Sequence, residues 1–306
     1  MGIAVLKMNN ISKKYKRTLA VDGVSLNVSK GDIYGLIGSN GAGKTTIIKL
    51  ITSLISSTNG SIELFGKTEK AELNKMRKKI GCIIEYPIFY SNLSAYDNLK
   101  YYCIQFGIKD KKAIENALNL VNLTKTDKKK FKEFSLGMKQ KLGIALAILN
   151  KPEILILDEP LNGLDPMGII EIREVLRDLN ENHGVTILIS SHILGELSQI
   201  ANRYGVMKKG RLIKEFSKDQ LEADCKSGVL IRVDDVEKAI CLMKTVLHID
   251  RMELYSNNEI AIHDKTYHLD ELVFQLNNKG VRVNHSKDIT KNLEQYYRSL
   301  IGKREE

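Results

Sequence analysis

The sequence predicts an α/β protein in which helices cover both faces of a parallel β-sheet. Short apolar runs at residues 33–38, 154–157 and 185–189 have the length and composition of strands that are buried on both faces. Between the last two runs, residues 168–182 carry apolar side chains at helical spacing. Strands that alternate with helices in this way indicate a parallel sheet whose strands are joined by crossover helices.

More elements are predicted on either side of this core. Residues 5–8 and 24–28 alternate as strands do, and residues 46–55 carry apolar side chains at helical spacing. Residues 98–151 are predicted to be mostly helical. Because this helical stretch lies between strands of the core, we expect an inserted helical subdomain at about residues 86–151.

The pattern changes after residue 214, which predicts two domains, at residues 1–215 and 216–306. In the second, smaller α+β domain the elements are predicted in the order βαββαβ, the ferredoxin-like arrangement, followed by a closing helix. The predicted strands and helices lie at residues 229–233, 236–246, 251–255, 259–262, 269–278, 281–284 and 290–301.

Composition excludes several classes of protein. With 43% hydrophobic and 27% charged residues, the chain of 306 residues resembles an ordinary globular protein. Its longest apolar run, residues 142–149, is shorter than the roughly 18–20 residues of a membrane span. No charged leader precedes an apolar stretch, so we expect the protein in the cytosol.

Two further features of the composition are less specific. Four widely separated cysteines (Cys82, Cys103, Cys225 and Cys241) predict buried, reduced thiols and give little support to metal binding or disulfides. The net charge is +10, and all of the positive excess lies before residue 216. This excess fits bound phosphates, a membrane surface or nucleic acid, and it fits solvated lysines equally well.

A glycine-rich segment links the predicted strand at 33–38 to the following helix. It has the pattern GxxxxGK[ST] and consists of Gly38, Ser39, Asn40, Gly41, Ala42, Gly43, Lys44 and Thr45, with Thr46 next. Glycines let backbone N–H groups turn towards phosphates, and the helix N-terminus adds its dipole. We expect Lys44 to contact the β- and γ-phosphates and the Thr45 hydroxyl to bind Mg²⁺. The segment predicts a P-loop NTPase core that binds the phosphates of a nucleotide.

Two carboxylates end the apolar run at residues 154–157. Asp158 is placed at the end of a buried strand, where it can bind Mg²⁺, and Glu159 is placed to polarise the attacking water as general base. An exposed acidic turn is the alternative for this segment alone. The P-loop earlier in the chain favours the catalytic interpretation.

The segment at residues 134–140, with Ser135 and Gly137, resembles the signature motif of ABC ATPases. The other motifs of that family are present in order: Tyr15 before the P-loop, residues 162–165 as the D-loop, and His192 after the strand at 185–189. The resemblance covers residues 1 to about 215. It implies that Tyr15 stacks on the adenine, that His192 contacts the γ-phosphate, and that Ser135 and Gly137 bind the ATP of a second subunit.

Two positions depart from the family pattern. The signature motif usually reads LSGGQ, and here Leu136 and Met138 replace a glycine and a glutamine. The Q-loop glutamine, which touches Mg²⁺ and the attacking water, is replaced by Glu85. A glutamate can still bind Mg²⁺ and act in catalysis, but it adds negative charge close to Asp158 and Glu159.

Glu85, the run at residues 86–95 and the C-terminal extension together resemble one branch of the family, the ATPases of bacitracin- and lantibiotic-type transporters. In the family, the stretch after Glu85 faces the coupling helix of the membrane subunit. It is rich in aromatic residues, which fit that role or the core of the helical subdomain equally well: Tyr86, Phe89, Tyr90, Tyr96, Tyr101, Tyr102 and Phe106.

The resemblance implies ATP and Mg²⁺ as cofactors and two partners, a transmembrane permease and a second ATP-binding subunit, expected as a homodimer. The chain would then be peripheral, at the cytoplasmic face of the membrane. No nucleic-acid partner is expected, because no coiled coil separates the P-loop from the signature motif. Two alternatives stay open: an ABC ATPase that serves no transporter, and a complex that senses antibiotic flux.

Overall fold

The computed structural model describes residues 2–85, 88–110, 112–124, 129–255, 258–262, 269–290 and 293–302. The chain divides into two compact units, residues 1–217 and 218–306. The boundary lies two residues beyond the predicted limit at 215. Among the described residues, no helix has the length and apolar character needed to cross a membrane.

Nine strands are described in the first unit, and they form two sheets. They are β1 (Ala4–Tyr15), β2 (Thr18–Ser29), β3 (Ile33–Ile37), β4 (Asn59–Leu64), β5 (Ile80–Ile83), β6 (Ile154–Asp158), β7 (Thr186–Ser191), β8 (Arg203–Lys208) and β9 (Arg211–Ser217). The smaller sheet is antiparallel, in the order β2-β1-β4. The larger has the order β5-β6-β7-β3-β8-β9, and its strands are parallel except for β9. The predicted parallel core is therefore confirmed.

The helices described in this unit are α1 (Lys44–Ile51), α2 (Lys70–Arg77), α3 (Ala95–Phe106), α4 (Ala113–Leu120), α5 (Leu136–Ile148), α6 (Pro166–Glu181) and α7 (Leu194–Leu197). Helices α3 to α5 lie in the chain between β5 and β6, which is where the sequence predicts the helical insertion. Side-chain oxygens of Ser94, Ser135 and Asp165 accept hydrogen bonds from the first turns of α3, α5 and α6. These N-caps explain where the three helices begin.

Burial explains why the central strands were recognised in the sequence. Every residue of β3, β6 and β7 is buried, which is expected for parallel strands covered on both faces. Isoleucines from α1, including Ile47 and Ile48, join residues of β1 and β2, such as Met8 and Val24, in one apolar core. This core fixes α1, and with it the loop that precedes α1, against the sheets.

One partly buried hydrogen bond ties a central strand to the edge of the large sheet. The Tyr34 hydroxyl in β3 donates to Glu215 Oε1 in β9 at 2.7 Å. Burial raises the pKa of Tyr34 well above its ordinary value, and the neighbouring Glu215 carboxylate raises it further. The phenol therefore stays protonated and keeps its role as donor.

The second unit contains one four-stranded sheet among the described residues. Its elements are α8 (Lys218–Cys225), β10 (Lys226–Val233), α9 (Val236–Thr245), β11 (Met252–Tyr255), β12 (Glu259–Ile262), α10 (Leu269–Asn278), β13 (Val283–Thr290) and α11 (Leu293–Gly302). The sheet is antiparallel throughout, in the order β11-β12-β10-β13. Apolar residues of β10, α9, β12 and α10 form a separate core. The ferredoxin-like classification stays a prediction.

Several elements differ from the sequence-based expectations. Helix α1 begins at Lys44 and ends at Ile51, because Ser53 has a left-handed backbone with φ of 62°. Strand β13 begins at residue 283, two residues later than predicted. Strands β4, β5, β8 and β9 and helices α2 and α8 lie outside the elements that the sequence predicts. The sequence predicts buried thiols, which is right for Cys103 and wrong for Cys82 and Cys241, because both are exposed. The side chain of Cys225 lies outside the part of the chain that the structure describes.

Gly81 in β5 allows the sheet to approach α5 closely. A β-carbon there would overlap the carbonyl oxygen of Ala147 and lie 2.9 Å from its carbon. We predict that Gly81→Ala lowers the free energy of unfolding in urea by about 2 kcal/mol or more, because the backbone of α5 and the sheet must move apart. Gly195→Ala is the matched control, since nothing lies within 4 Å of the added carbon. Equal unfolding midpoints for the two variants would contradict this close packing.

Candidate active site at the edge of the parallel sheet

The P-loop and Asp158 lie at the carboxyl ends of neighbouring strands of the parallel sheet. The P-loop follows β3, Asp158 ends β6, and Ser190 lies near the end of β7. In the sheet, Ser190 of β7 is paired with Leu36 of β3 on one side and with Asp158 on the other. Ligands of open parallel sheets bind at this edge, beyond the carboxyl ends of the strands.

The P-loop has a backbone that its glycines make possible. Gly41 and Gly43 have φ angles of 79° and 106°, in the left-handed region that other residues avoid. A β-carbon on Gly43 would lie 2.8 Å from the carbonyl oxygen of Ala20, whereas one on Gly41 would have nothing within 4 Å. The loop is therefore packed on the β2 side at Gly43 and open at Gly41, where Ser39 and Asn40 are also exposed.

Helix α1 presents an uncapped N-terminus behind this loop. Its N-cap residue is Gly43, no side chain caps it, and its first turn contains no acidic residue. The free N–H groups and the positive end of the helix dipole favour an anion at this point. The loop and helix together fit the phosphates of a nucleotide.

Lys44 is buried and lies over the P-loop. Its ammonium donates to the carbonyl oxygens of Gly38 at 2.6 Å and Ser39 at 3.3 Å. It also lies 3.1 Å from Glu159 Oε1, and the lysine side chain is only 6% exposed. A buried ammonium needs such partners, because desolvation otherwise disfavours its charged form.

Asp158 is the junction between the P-loop helix and the sheet. The Thr45 hydroxyl donates to Asp158 Oδ2 at 2.7 Å, and the Ser190 hydroxyl donates to Asp158 Oδ1 at 2.6 Å. All three side chains belong to different elements of the core, α1, β6 and β7. Their oxygen atoms thus converge beside the open mouth of the P-loop.

Glu159 connects the other charged side chains of the site. Its φ of 51° is unusual for a residue other than glycine, and its N–H donates to Ser190 Oγ at 2.9 Å. Its carboxylate contacts Lys44 through Oε1 and His192 Nδ1 through Oε2, the latter at 2.7 Å. The structure therefore brings Lys44, Glu159 and His192 together.

The residues present fit a magnesium ion that also binds phosphate. Thr45 and Asp158 offer two adjacent oxygen atoms of the hard type that Mg²⁺ prefers. No cluster of three or more histidine, cysteine, aspartate or glutamate side chains suited to a metal was found in the described part of the chain. A site with few protein ligands is typical of Mg²⁺ that is completed by phosphate oxygens and water.

Glu85 has a different setting from the other two acids. It follows β5 with a left-handed φ of 64°, and its carboxylate lies 3.1 Å from Lys49 Nζ. Lys49 is one helical turn after Thr45 on α1, so the two side chains share a face of that helix. The acid is 72% exposed. The structure thus pairs Glu85 with a lysine, beside and not within the cluster around Asp158.

Tyr15 lies at the tip of the β1–β2 hairpin. It is paired with Thr18, the residue is 45% exposed, and Lys13 Nζ lies 5.1 Å from the ring centroid. The same hairpin contributes Ala20, which packs on Gly43 of the P-loop. The exposed ring therefore lies on the hairpin that borders the loop, which is compatible with adenine stacking.

Ser135 and Gly137 begin helix α5. The Ser135 side chain is exposed and accepts a hydrogen bond from Met138 N at 3.3 Å. Gly137 is buried, two residues into the helix. The predicted signature segment is therefore a helix N-terminus, and its serine is accessible to another molecule.

A P-loop and a carboxylate pair at this edge of a parallel sheet define a nucleotide-binding ATPase site. The model of the ABC transporter family matches residues 21–162. The bacitracin transport ATP-binding protein BcrA of Enterococcus faecalis is 41% identical over 298 residues, 97% of this chain and 96% of that protein. The lantibiotic transport ATP-binding protein SrtF of Streptococcus pyogenes is 46% identical over 219 residues, 71% of this chain and 93% of that protein.

Solved structures agree with these relatives. A dimeric ATP-binding cassette in a post-hydrolysis state, bound to ADP and Pi, is 26% identical with a TM-score of 0.62 and covers 70% of this chain and 98% of that chain. An ATP-binding subunit of an ABC transporter is 29% identical with the same TM-score and covers 71% of this chain and 91% of that one. The chain belongs to the ABC transporter family, in which it is an ATP-binding, ATP-hydrolysing subunit.

Two residues of the site were missed in the sequence. Ser190 joins Asp158 to the backbone of Glu159, and Lys49 pairs with Glu85 across 36 positions of the chain. The two serines before His192 are the signal that could have pointed to Ser190. Lys49 gave no comparable signal, since it is one of many lysines in the first unit.

The replacement of glutamine by Glu85 generates a direct test. We predict that Glu85→Gln raises the Mg²⁺ concentration for half-maximal ATPase activity by about threefold, because a carboxylate beside the metal site is lost. The free energy of unfolding should change by less than about 1 kcal/mol, since the pair with Lys49 is exposed. Glu153→Gln, which breaks a similar pair with Lys79, is the control. An unchanged Mg²⁺ requirement in Glu85→Gln would show that the Glu85 carboxylate does not contribute to Mg²⁺ binding.

Proposed function

We propose that this chain hydrolyses ATP to drive a separate membrane permease that exports peptide antibiotics or otherwise protects the cell from them. The alignment with BcrA supports the proposal, because it extends over 97% of the chain and so includes most of the C-terminal unit as well as the ATPase unit. The alignment with SrtF adds a lantibiotic transport protein at 46% identity.

The shared carboxylate of Glu159 supports the proposed catalytic roles. Glu159 lies between Lys44 and His192, so the binding of phosphates at the P-loop would compete for the Lys44 ammonium. Glu159 would then retain His192 as its partner and face the position of the γ-phosphate. In this arrangement Glu159 acts as general base for the attacking water, and His192 orients the carboxylate and contacts the γ-phosphate.

Asp158 and Thr45 would hold Mg²⁺, with Glu85 as a nearby third acid. The metal, when bound, neutralises charge on the β- and γ-phosphates. Asp158 is already oriented by Ser190, so its second oxygen remains directed at Thr45. Tyr15 would stack on the adenine, and the P-loop with Thr46 would hold the phosphates.

We infer that two copies form a head-to-tail homodimer during the cycle. Each ATP would lie between the P-loop of one subunit and Ser135 and Gly137 of the other. The exposed Ser135 hydroxyl at the start of α5 supports this arrangement, since a helix N-terminus favours phosphate. The dimeric state of a related cassette with ADP and Pi supports it as well. Closure would exclude water around the phosphates.

A surface on the helical insertion has the properties of a permease contact. We name it the aromatic patch and define it by five exposed apolar residues: Ile88, Tyr90, Tyr101, Ile104 and Phe106. Phe89 in the same stretch is buried, so the stretch serves both as core and as surface. Tyr86 lies outside the described residues.

The rings of the aromatic patch hold one another in place. The Tyr90 and Tyr101 rings meet edge to face with centroids 4.9 Å apart, and Tyr102 lies next to both Tyr101 and Phe106. Rigid, exposed aromatic side chains are typical of protein interfaces. Through this contact the chain would be peripheral, at the cytoplasmic face of the membrane.

Resistance in the native bacterium tests the proposal. We predict that Glu159→Gln in the chromosomal gene lowers the minimum inhibitory concentration of bacitracin or of a lantibiotic several-fold, because ATP is bound but hydrolysed poorly. Ile104→Ser and Phe106→Ser should lower it too, while the purified subunits keep wild-type affinity for ATP.

The control for the aromatic patch is Leu54→Ser, which removes another exposed apolar side chain, 64% accessible, outside the patch. It should leave resistance unchanged. Wild-type resistance in Glu159→Gln would contradict antibiotic export or protection by this subunit. Recovery of the wild-type chain without a membrane protein in mild detergent would favour an ABC ATPase that serves no transporter.

A further inference from the structure

Helix α5 carries a buried lysine that the proposed catalytic cycle does not use. Lys141 Nζ lies 2.5 Å from Glu171 Oε2 of α6, and the lysine side chain is only 8% exposed. Lysine is almost never buried unless it is paired. The Glu171 side chain is 47% exposed, so the pair joins a buried ammonium to a carboxylate that water still reaches.

This ion pair lies one turn from a close approach of the same two helices. A β-carbon on Gly137 would lie 3.7 Å from Gly168 Cα, so the backbones of α5 and α6 come close together near their N-termini. Lys141 follows Gly137 by four residues, and Glu171 follows Gly168 by three, so each pair shares one helix face. Two contacts a turn apart fix both the spacing and the rotation of α5 on α6.

A third contact joins the first residue of α5 to the loop in front of α6. Leu136, which stands where the family usually has glycine, places its Cδ2 atom 3.3 Å from a β-carbon built on Gly163. Gly163 belongs to the segment at residues 162–165, whose last residue, Asp165, caps α6. The signature segment and the D-loop segment are therefore packed against each other directly.

We propose that Lys141 is a positioning residue, whose pair with Glu171 holds the signature segment and the D-loop segment as one rigid unit for ATP-dependent dimerisation. The inference rests on the proposed homodimer, in which this unit faces the nucleotide of the second subunit. Neither Lys141 nor Glu171 belongs to the P-loop site of its own subunit. Loss of the pair therefore weakens dimer formation and leaves ATP binding by the single subunit intact.

Because both partners are charged, the pair holds α5 on α6 more firmly than a hydrogen bond between two neutral side chains would. An ion pair with one buried partner is stronger and more directional than a pair of neutral groups. Removal of the lysine leaves only an acid that water already reaches, so the fold itself should tolerate Lys141→Met. The methionine keeps an unbranched apolar stem in the same space. Lys141→Arg restores the positive charge.

The test measures ATP-dependent dimerisation of the full chain in a Glu159→Gln background, which should accumulate the ATP-bound dimer. Light scattering coupled to size exclusion gives the dimer fraction, and a fluorescent ATP analogue at low protein concentration gives the affinity of the monomer. We expect Lys141→Met to raise the dissociation constant of the dimer about tenfold. The affinity of the monomer for the ATP analogue should stay unchanged. Glu171→Gln should have a similar effect, and the double variant should be no worse than either single variant. Lys141→Arg should restore dimerisation.

Lys79→Met is the matched control, because it breaks an exposed pair with Glu153 elsewhere on the same unit. It should dimerise normally. If Glu159→Gln alone forms no dimer with ATP, the proposed homodimer fails, and this inference with it. If that dimer forms equally well with Lys141→Met, or if Lys141→Met weakens monomer binding to the same extent, the positioning role alone is wrong.

Discussion

The site depends on the hydrogen bonds that hold the carboxylate of Asp158. Thr45 at the start of α1 and Ser190 near the end of β7 each donate to one of its oxygens, at 2.7 and 2.6 Å. A carboxylate with 8% exposure would be costly without such donors. With them it becomes the point at which the P-loop helix and two adjacent strands are joined. The position of Lys44 and the direction of Glu159 follow from this junction.

The sheet order explains why these groups can meet. Strand β7 lies between β3 and β6, so the P-loop after β3 and the acids at the end of β6 flank Ser190. Ser190 also accepts the N–H of Glu159 and so supports its left-handed backbone. That backbone directs the Glu159 side chain towards Lys44 and His192. The helices that begin at residues 136 and 166 form a second assembly, fastened by Lys141 and Glu171.

The sequence was informative wherever one segment carries its own signal. The buried strands are uniformly apolar, and the P-loop is a contiguous pattern whose glycines have a clear steric reason, so both were predicted. Strand β4 and helix α2 are largely exposed and lack that signal. The pair of Lys49 with Glu85 and the role of Ser190 depend on how distant segments align, which local spacing does not reveal. The acid at position 85 was recognised, but its lysine partner was not.

Calorimetric titration with ATP, in the presence and absence of Mg²⁺, tests most directly whether Asp158 is the centre of the site. The wild-type chain should bind ATP more tightly when Mg²⁺ is present. In Asp158→Asn the amide keeps the shape of the side chain but loses the charge that Mg²⁺ requires. The account predicts that the effect of Mg²⁺ disappears in this variant while ATP alone still binds. An undiminished effect of Mg²⁺ in Asp158→Asn would contradict it.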